Sequence, residues 1–258
     1  MKTFKELYSY REMIFGMVRR DLRGRYKASI LGFLWTFVNP LLQLVVYTIV
    51  FSTFLRFDID KYYIFLFVGL VPWNFFGGCV SSGCACVIAN KEMVKKIYFP
   101  REVLPISFVL TNFVNMLLVF IVIFAVLAVT GFGFNFAALL YLPLVMVIEL
   151  LMATGVTMIN SALTVYFRDL EHILGIITML WMYLTPVFYL MEQIPEKYRS
   201  ILYINPMTSI IQAYRQILYY KVLPDTGTLL NAVLFGIGTL IFGGFVFGRL
   251  KKHFAEEL

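Results

Sequence analysis

Few residues in this sequence could do chemistry, and they form no complete catalytic set. The chain has no Gly-x-x-x-x-Gly-Lys-[Ser/Thr] motif, so it predicts no nucleotide site of the P-loop kind. Its two histidines, His172 and His253, are far apart in sequence, which argues against a histidine-based metal or acid–base site. Cys79, Cys84 and Cys86 form no Cys-x-x-Cys pair, which favours packing residues over metal ligands. We therefore expect no catalytic residue, metal or cofactor in this chain.

Glu149 is the one carboxylate well inside a long apolar run. An ionisable group in such a run costs several kcal/mol unless it is paired or protonated. One interpretation is a proton relay of a secondary transporter. The other is a structural hydrogen bond or a place near the outer membrane interface, with amides such as Asn112, Asn115 and Asn160 as the expected neighbours. Relays need partners, so we favour the structural interpretation.

The elements that would position these residues are membrane helices. Hydrophobic residues make up 60% of the 258 residues, charged residues only 14%, and the mean hydropathy is +0.82, unlike a water-soluble surface. A helix needs about 20 mostly apolar residues to cross a bilayer. Six stretches qualify: between Lys27 and Arg56, between Lys61 and Lys91, from Glu102 towards Gly131, Ala138 to Phe167, Ile173 to Met191, and Thr226 to Gly248. The sequence predicts an all-α integral membrane protein with six spans in one domain, 1–258.

The distribution of Lys and Arg predicts the orientation of these spans. If the N-terminus is cytoplasmic, 16 of the 22 basic residues fall on inner segments and 6 on outer ones. Basic loops stay inside, so we expect both termini to be cytoplasmic. The net charge of +7 is then explained by basic flanks that face anionic lipid rather than nucleic acid.

Three segments outside the spans have predicted structures of their own. Residues 1–27 form an amphipathic, basic helix typical of the membrane interface. Residues 90–101 form a short cytoplasmic helix that Asn90 caps and Pro100 ends, either a solvated loop or a docking element. Residues 192–225 break at Asn205-Pro206 into two short, half-buried helices that dip back into the outer leaflet.

Aromatic residues and small residues give two weaker signals. Aromatic residues make up 17% of the chain, and they either line a path for flat sugar rings or fill the lipid-facing surface. Gly244-x-x-x-Gly248 has the spacing that lets helices approach closely, within one protomer or between two.

An ordered series of motifs resembles the membrane subunit of ABC-2 type polysaccharide exporters, the family that moves O-antigen, capsule or teichoic acid chains. The N-terminal half contains Arg-Asp-Leu-Arg-Gly-Arg-Tyr-Lys from Arg20, Asn-Pro-Leu from Asn39, Gly-Leu-Val-Pro-Trp from Gly69 and Lys-Ile-Tyr-Phe-Pro-Arg from Lys96. The C-terminal half contains Phe-Arg-Asp-Leu from Phe167, Thr-Pro-Val-Phe from Thr185, Asn-Pro-Met from Asn205 and Tyr214-Arg215.

The resemblance implies a permease in the bacterial cytoplasmic (inner) membrane. Two copies would form a channel for a polyprenyl-linked polysaccharide, above two copies of a separate ATPase that binds ATP and Mg. It also implies roles for particular residues: ATPase coupling by Lys95, Lys96, Ile97, Tyr98, Arg168 and Asp169; a channel or outer gate of Trp35, Trp73, Phe188, Tyr189, Tyr203 and Tyr214; and a carrier pyrophosphate contact at Arg20, Arg23, Arg25 and Lys27, where clustered cations suit phosphate oxygens. Lipid anchoring is the other interpretation of that basic junction.

Three other functions are considered. A related ABC-2 permease exports drugs or other small molecules, but the aromatic richness weighs against it. A membrane-embedded glycosyl or acyl transferase would need acids or histidines that this chain does not bring together. A proton-coupled secondary transporter would depend on Glu149 alone.

Overall fold

The computed structural model describes residues 2–25, 32–54 and 59–258, and these residues contain helices and connecting turns but no strand. The α-helices are α1 (Lys2–Ser9), α2 (Arg11–Arg25), α3 (Trp35–Thr48), α4 (Tyr62–Ser81), α5 (Lys91–Lys96), α6 (Val103–Val129), α7 (Phe136–Leu139), α8 (Leu142–Tyr166), α9 (Leu170–Tyr183), α10 (Glu196–Ile204), α11 (Pro206–Leu218), α12 (Thr226–Leu250) and α13 (Phe254–Glu257). The predicted all-α class is therefore confirmed.

Five helical segments of the described chain are long and apolar enough to cross a membrane. They are Gly32–Ser52, Tyr62–Ala85, Val103–Val129, Phe136–Tyr166 and Thr226–His253. The five correspond to the predicted first, second, third, fourth and sixth spans. Hydrophobic length identifies them because a backbone in lipid has to satisfy its own hydrogen bonds within each helix.

The predicted fifth span, Ile173 to Met191, is not confirmed at that length. Its helix, α9, has 14 residues and ends at Tyr183, which is about 21 Å of rise against a hydrocarbon core of about 30 Å. Pro186 lies three residues after Tyr183, and proline has no N–H to continue the helical ladder. The chain instead turns, and the N–H of Val187 donates to the carbonyl of Thr185 at 2.6 Å.

The helix α4 lies at the centre of the fold. It is apolar on almost every face, and the side chains of Phe65, Leu66, Val68 and Leu70 have no exposed surface or almost none. A helix that is hydrophobic all round is stable only when neighbours cover it. Here α3, α6, α8, α9 and α11 all contact α4.

Glycine allows α8 and α12 to pack at backbone distance. A Cβ atom on Gly155 would lie 2.3 Å from the carbonyl oxygen of Thr239, and one on Gly243 would lie 2.2 Å from the carbonyl oxygen of Gly155. Gly244 and Gly248, the pair with the predicted spacing, have no described atom within 4 Å of such a Cβ. Close packing inside the protomer therefore uses the preceding residue, Gly243.

The N-terminal segment forms two helices, α1 and α2, rather than the single helix predicted over 1–27. Ile14, Met17 and Val18 of α2 are buried and pack against the beginning of α6, where the Ser107 hydroxyl donates to the Met17 sulfur at 3.8 Å. The predicted apolar arc is thus partly used inside the protein. A position in the membrane interface stays a prediction.

The other two segments have the predicted helices but different ends. α5 stops at Lys96, before Pro100, because Ile97 is already extended. Asn90 makes no side-chain cap; its amide donates to the carbonyl of Cys86 at 2.8 Å instead. Within 192–225, α10 and α11 meet at Asn205-Pro206 as predicted, whereas their entry into the outer leaflet stays a prediction.

Candidate functional site

The predicted coupling residues lie at one end of the helix bundle. Lys95, Lys96 and the following Ile97 and Tyr98 are exposed, and Tyr98 is 86% exposed. Lys96 forms an ion pair with Glu92 at 2.9 Å.

Arg168 and Asp169, in the turn between α8 and α9, are also exposed. Val94, Phe99 and Val165 belong to the same buried apolar cluster, so the two loops lie at the same end of the bundle. We call the six predicted residues the coupling surface.

The C-terminal end of the chain supports the coupling surface. Phe254 is fully buried and packs edge-on against Phe247, with 5.5 Å between ring centroids. The Lys251 ammonium pairs with the buried carboxylate of Glu102, and the Arg101 guanidinium donates to the Lys251 carbonyl. These contacts join the segment before α6 to the end of α12. Sequence reasoning missed them because they join residues about 150 positions apart.

The most constrained polar group is Arg215 in α11, whose side chain is only 1% exposed. Its guanidinium donates to the carbonyls of Pro186 and Val187 and lies 3.6 Å from the centroid of the Phe65 ring. The guanidinium of an arginine stays protonated in proteins, so the cluster contains a buried positive charge. We call Arg215 with Phe65, Pro186 and Val187 the Arg215 cluster.

Asn205 links the helices on either side of this cluster. Its carbonyl oxygen accepts from the Trp181 indole at 2.9 Å and from the Met207 N–H at 3.1 Å, and its amide donates to the Thr185 hydroxyl at 2.8 Å. Asn205 thus caps α11 and fixes the end of α9 beside it. The sequence signal for both groups was present as the motifs Asn-Pro-Met and Tyr214-Arg215, although neither Asn205 nor Arg215 was a predicted site residue.

Glu149 is completely buried and accepts a hydrogen bond from the Tyr214 hydroxyl at 2.7 Å. Its partner is therefore a tyrosine of α11 rather than the expected amides. Asn160, one of those amides, donates to the carbonyl of Val80 at 3.2 Å. The Glu149–Tyr214 hydrogen bond joins α8 to α11, and the Asn160–Val80 hydrogen bond joins α8 to α4.

The six predicted gate residues do not share one surface. Trp73, Phe188 and Tyr214 are buried, and Phe188 stacks on Phe51 with 4.7 Å between centroids. Tyr189 is half-buried and donates to the carbonyl of Tyr183. Trp35 and Tyr203 are exposed. A channel-lining role stays a prediction for this set.

The predicted pyrophosphate contacts also do not share one site among the described residues. Arg20 forms an ion pair with Asp21 at 3.0 Å. Arg23 lines a recess together with Phe15, Arg19 and Phe33, and Arg20 is not part of that lining. The Arg25 side chain and Lys27 lie outside the described part of the chain. Among the described residues, no group of three or more His, Cys, Asp or Glu is placed to hold a metal ion, and all three cysteines are buried.

The fold of apolar spanning helices with exposed basic loops is that of a multi-pass membrane protein, and comparison with known proteins identifies its family. The family model described as ABC-2 type transporter matches residues 12–219. This chain belongs to that membrane family.

Its relatives include curated polysaccharide export permeases. The chain is 35% identical over 264 residues to the O-antigen export system permease protein RfbA of Myxococcus xanthus, with 100% of both chains covered. It is 33% identical to the protein of that name from Klebsiella pneumoniae, over 96% of this chain and 95% of the relative. It is 20% identical to the polysialic acid transport protein KpsM of Escherichia coli, over 87% of this chain and 88% of the relative.

Proposed function

We propose that this chain is the permease of an ATP-driven exporter that moves a lipid-linked polysaccharide, such as O-antigen or capsule, across a bacterial inner membrane. The observation that carries this proposal is the 35% identity to an O-antigen export permease along the full length of both chains. Pro186, Val187 and Arg215 of the Arg215 cluster belong to the motifs on which the family resemblance depends. Among the described residues, no contact favours export of drugs, or a proton-driven mechanism, over this function.

The energy would come from a separate ATPase, which would itself bind ATP and Mg and would contact this chain at the coupling surface. The sequence has no P-loop of its own. Ile97 is 58% exposed and Tyr98 is 86% exposed, next to two lysines on a loop that buried Val94 and Phe99 hold in place. Tyrosine is enriched at protein interfaces, and an exposed tyrosine on a loop that is held in place is therefore a candidate contact for a partner. ATP binding would press on this loop and on Arg168 and Asp169.

The topology proposed is six spans with both termini cytoplasmic. α9 and the buried residues Thr185 to Phe188 that follow it would make the short fifth crossing, and α10 and α11 would dip back from the outer side. Burial of Thr185, Pro186 and Val187 among other helices supports this arrangement, because irregular backbone at membrane depth is tolerated only inside protein. α1 and α2 would form the interface helix.

Two copies of the chain would enclose the channel. Leu42, Val45, Val46 and Ile49 of the first span are all about half exposed, which provides an apolar face for a second copy. Trp35, Tyr189 and Tyr203 would then reach the sugar path, with Trp73, Phe188 and Tyr214 behind them. Two permeases with two ATPases complete the proposed assembly.

The test of the function is deletion of the gene in its native host, followed by detection of surface polysaccharide. We expect the polymer to disappear from the surface and its lipid-linked precursor to accumulate inside. Re-expression of the chain should restore export. Unchanged surface polysaccharide in the deletion strain would contradict the proposal.

The pyrophosphate contact has its own test, the double substitution Arg23→Ala and Arg25→Ala. We expect reduced export with normal membrane insertion, because two cations that suit phosphate oxygens are lost. Normal export and normal insertion together would leave only the anchoring role for this junction.

A further inference from the structure

Four asparagines from three helices line one open recess among α3, α4 and α6. The recess has a volume of about 480 Å³, and its lining includes Asn39, Asn74, Asn112, Asn115 and Trp35. The other described residues of the lining are Thr36, Pro40, Val71, Phe75, Met116 and Val119, and none of them is charged. Its size is in the range of about 300–1,000 Å³ that is usual for small-ligand sites.

The recess lies at a depth where exposed amides are costly. Asn112 and Asn115 follow the start of α6 by about 14 and 18 Å at 1.5 Å per residue, well inside the span Val103–Val129. Polar side chains at such a depth normally face protein, water or a ligand. An amide-lined surface there indicates a polar occupant.

Asn74 is a recess residue whose side chain can reach a bound ligand. In α4, which lies entirely within the described part of the chain, Asn74 is the one exposed residue. Its amide donates to the Gln43 side chain of α3 at 2.8 Å, which fixes the plane of the group. Since an asparagine carries two N–H donors and a carbonyl with two lone pairs, this bond leaves Asn74 with further hydrogen-bonding capacity.

We propose that the recess is a subsite for a neutral, hydroxyl-bearing sugar ring, an inference that rests on the proposed function and names its substrate class at this place. A sugar hydroxyl both donates and accepts hydrogen bonds, and so does an amide. Trp35 is 36% exposed and supplies a flat apolar face for the C–H groups of the ring. A phosphate would need cations, which the described lining lacks, and an acyl chain would place apolar groups against the exposed amides of Asn39 and Asn74.

Binding can be measured by quenching of Trp35 fluorescence in the chain co-purified with its ATPase and placed in phosphatidylcholine nanodiscs. The probe is a bromoalkyl β-glucoside, and a bromoalkyl phosphocholine of the same chain length is the head-group control. We expect saturable quenching by the glucoside only. Trp35→Phe should remove this signal, because the other two tryptophans lie outside the recess lining.

The recess variants are Asn74→Leu and Asn112→Leu, which keep side-chain size and remove polarity. Each should weaken glucoside binding at least tenfold, and Asn74→Ala should do the same if the leucine variant fails to insert. Leu117→Ala is the control, since Leu117 is an exposed residue of α6, the helix that carries Asn112, and lies outside the recess lining. It should bind the glucoside as the unsubstituted chain does.

A competition experiment separates the two sources of a sugar ring. Displacement of the glucoside by soluble maltohexaose would show that a polymer segment binds, while displacement only by unbrominated alkyl glucoside would show that a glycolipid head group binds. Equal quenching by both brominated probes, or unchanged binding in the asparagine variants, would overturn the subsite. Efficient disulfide cross-linking between two copies through Asn74→Cys would also overturn it, because the recess would be filled by the dimer.

Failure of the subsite and failure of the proposed function give different results. If gene deletion abolishes surface polysaccharide but the asparagine variants bind glucoside normally, the exporter function stands and the subsite is wrong. If glucoside binds but gene deletion leaves surface polysaccharide unchanged, the proposed function is wrong.

Discussion

Replacement of Arg215 by methionine tests whether the Arg215 cluster holds the outer segment together. Methionine keeps the unbranched stem of the side chain but removes the donors for the carbonyls of Pro186 and Val187 and the charge 3.6 Å from the Phe65 ring centroid. Each buried carbonyl left without a donor costs about 1–3 kcal/mol, and a desolvated cation–π contact contributes about 2 kcal/mol. Relief of the buried charge offsets several kcal/mol of this loss. We expect Arg215→Met to lower the free energy of unfolding by about 3 kcal/mol.

The chain offers a matched control in Arg199. It also donates to two backbone carbonyls, those of Ile194 and Glu192, at 2.9 and 3.0 Å, but its side chain is 35% exposed. Water can replace these hydrogen bonds, so Arg199→Met should cost less than about 1 kcal/mol. Arg215→Lys should fall between the two, since an ammonium keeps the charge but lacks the planar fork that reaches two carbonyls.

The assay is equilibrium unfolding in mixed micelles of mild detergent and SDS, followed by far-UV circular dichroism. The three variants and the unsubstituted chain are compared at equal protein and detergent concentration. Equal losses for Arg215→Met and Arg199→Met would refute the reasoning, because burial would then make no difference. A neutral Arg215→Met would refute it as well.

Three further predictions concern packing, coupling and the buried acid. Gly155→Ala should prevent normal packing of α8 on α12, because its Cβ would lie 2.3 Å from a backbone oxygen, whereas Gly175→Ala, with no described atom within 4 Å, should be neutral or stabilising in the same unfolding assay. Tyr98→Ala should abolish co-purification of the ATPase without altering unfolding, while Tyr198→Ala, which removes an exposed tyrosine outside the coupling surface, should leave it intact; retention of the ATPase by Tyr98→Ala would contradict the coupling role. Glu149→Gln should keep normal, ATP-dependent export because an amide oxygen still accepts from the tyrosine hydroxyl, and loss of export would point to a proton relay instead.

Features that depend on local sequence were predicted well. The five long apolar helices follow from composition alone, because a membrane span has to satisfy its backbone within one continuous segment. The division of 192–225 into two helices was predicted for a similar reason, since Asn205 and Pro206 act on their immediate neighbours. The order of the motifs indicated the family, which the comparison then confirmed.

Features that depend on contacts between distant segments were not predicted. Pro186 ends α9 early, and distant residues stabilise the irregular turn that follows. Arg215 donates to the carbonyls of Pro186 and Val187, and Asn205 donates to the Thr185 hydroxyl. The close approach of helices uses Gly243 with Gly155 rather than Gly244 with Gly248, because the facing residue on α8 decides which side of α12 is covered.

The sequence by itself determined the class of protein, the positions of five spanning helices and the exposed basic loops, because hydrophobic length and charge act locally and are written along the chain. Only the tertiary structure decided which polar groups meet: Glu149 with Tyr214, Arg215 with two backbone carbonyls, and four asparagines around one recess. The physical reason is that a buried polar group requires a partner, and which segment supplies that partner depends on how the helices pack.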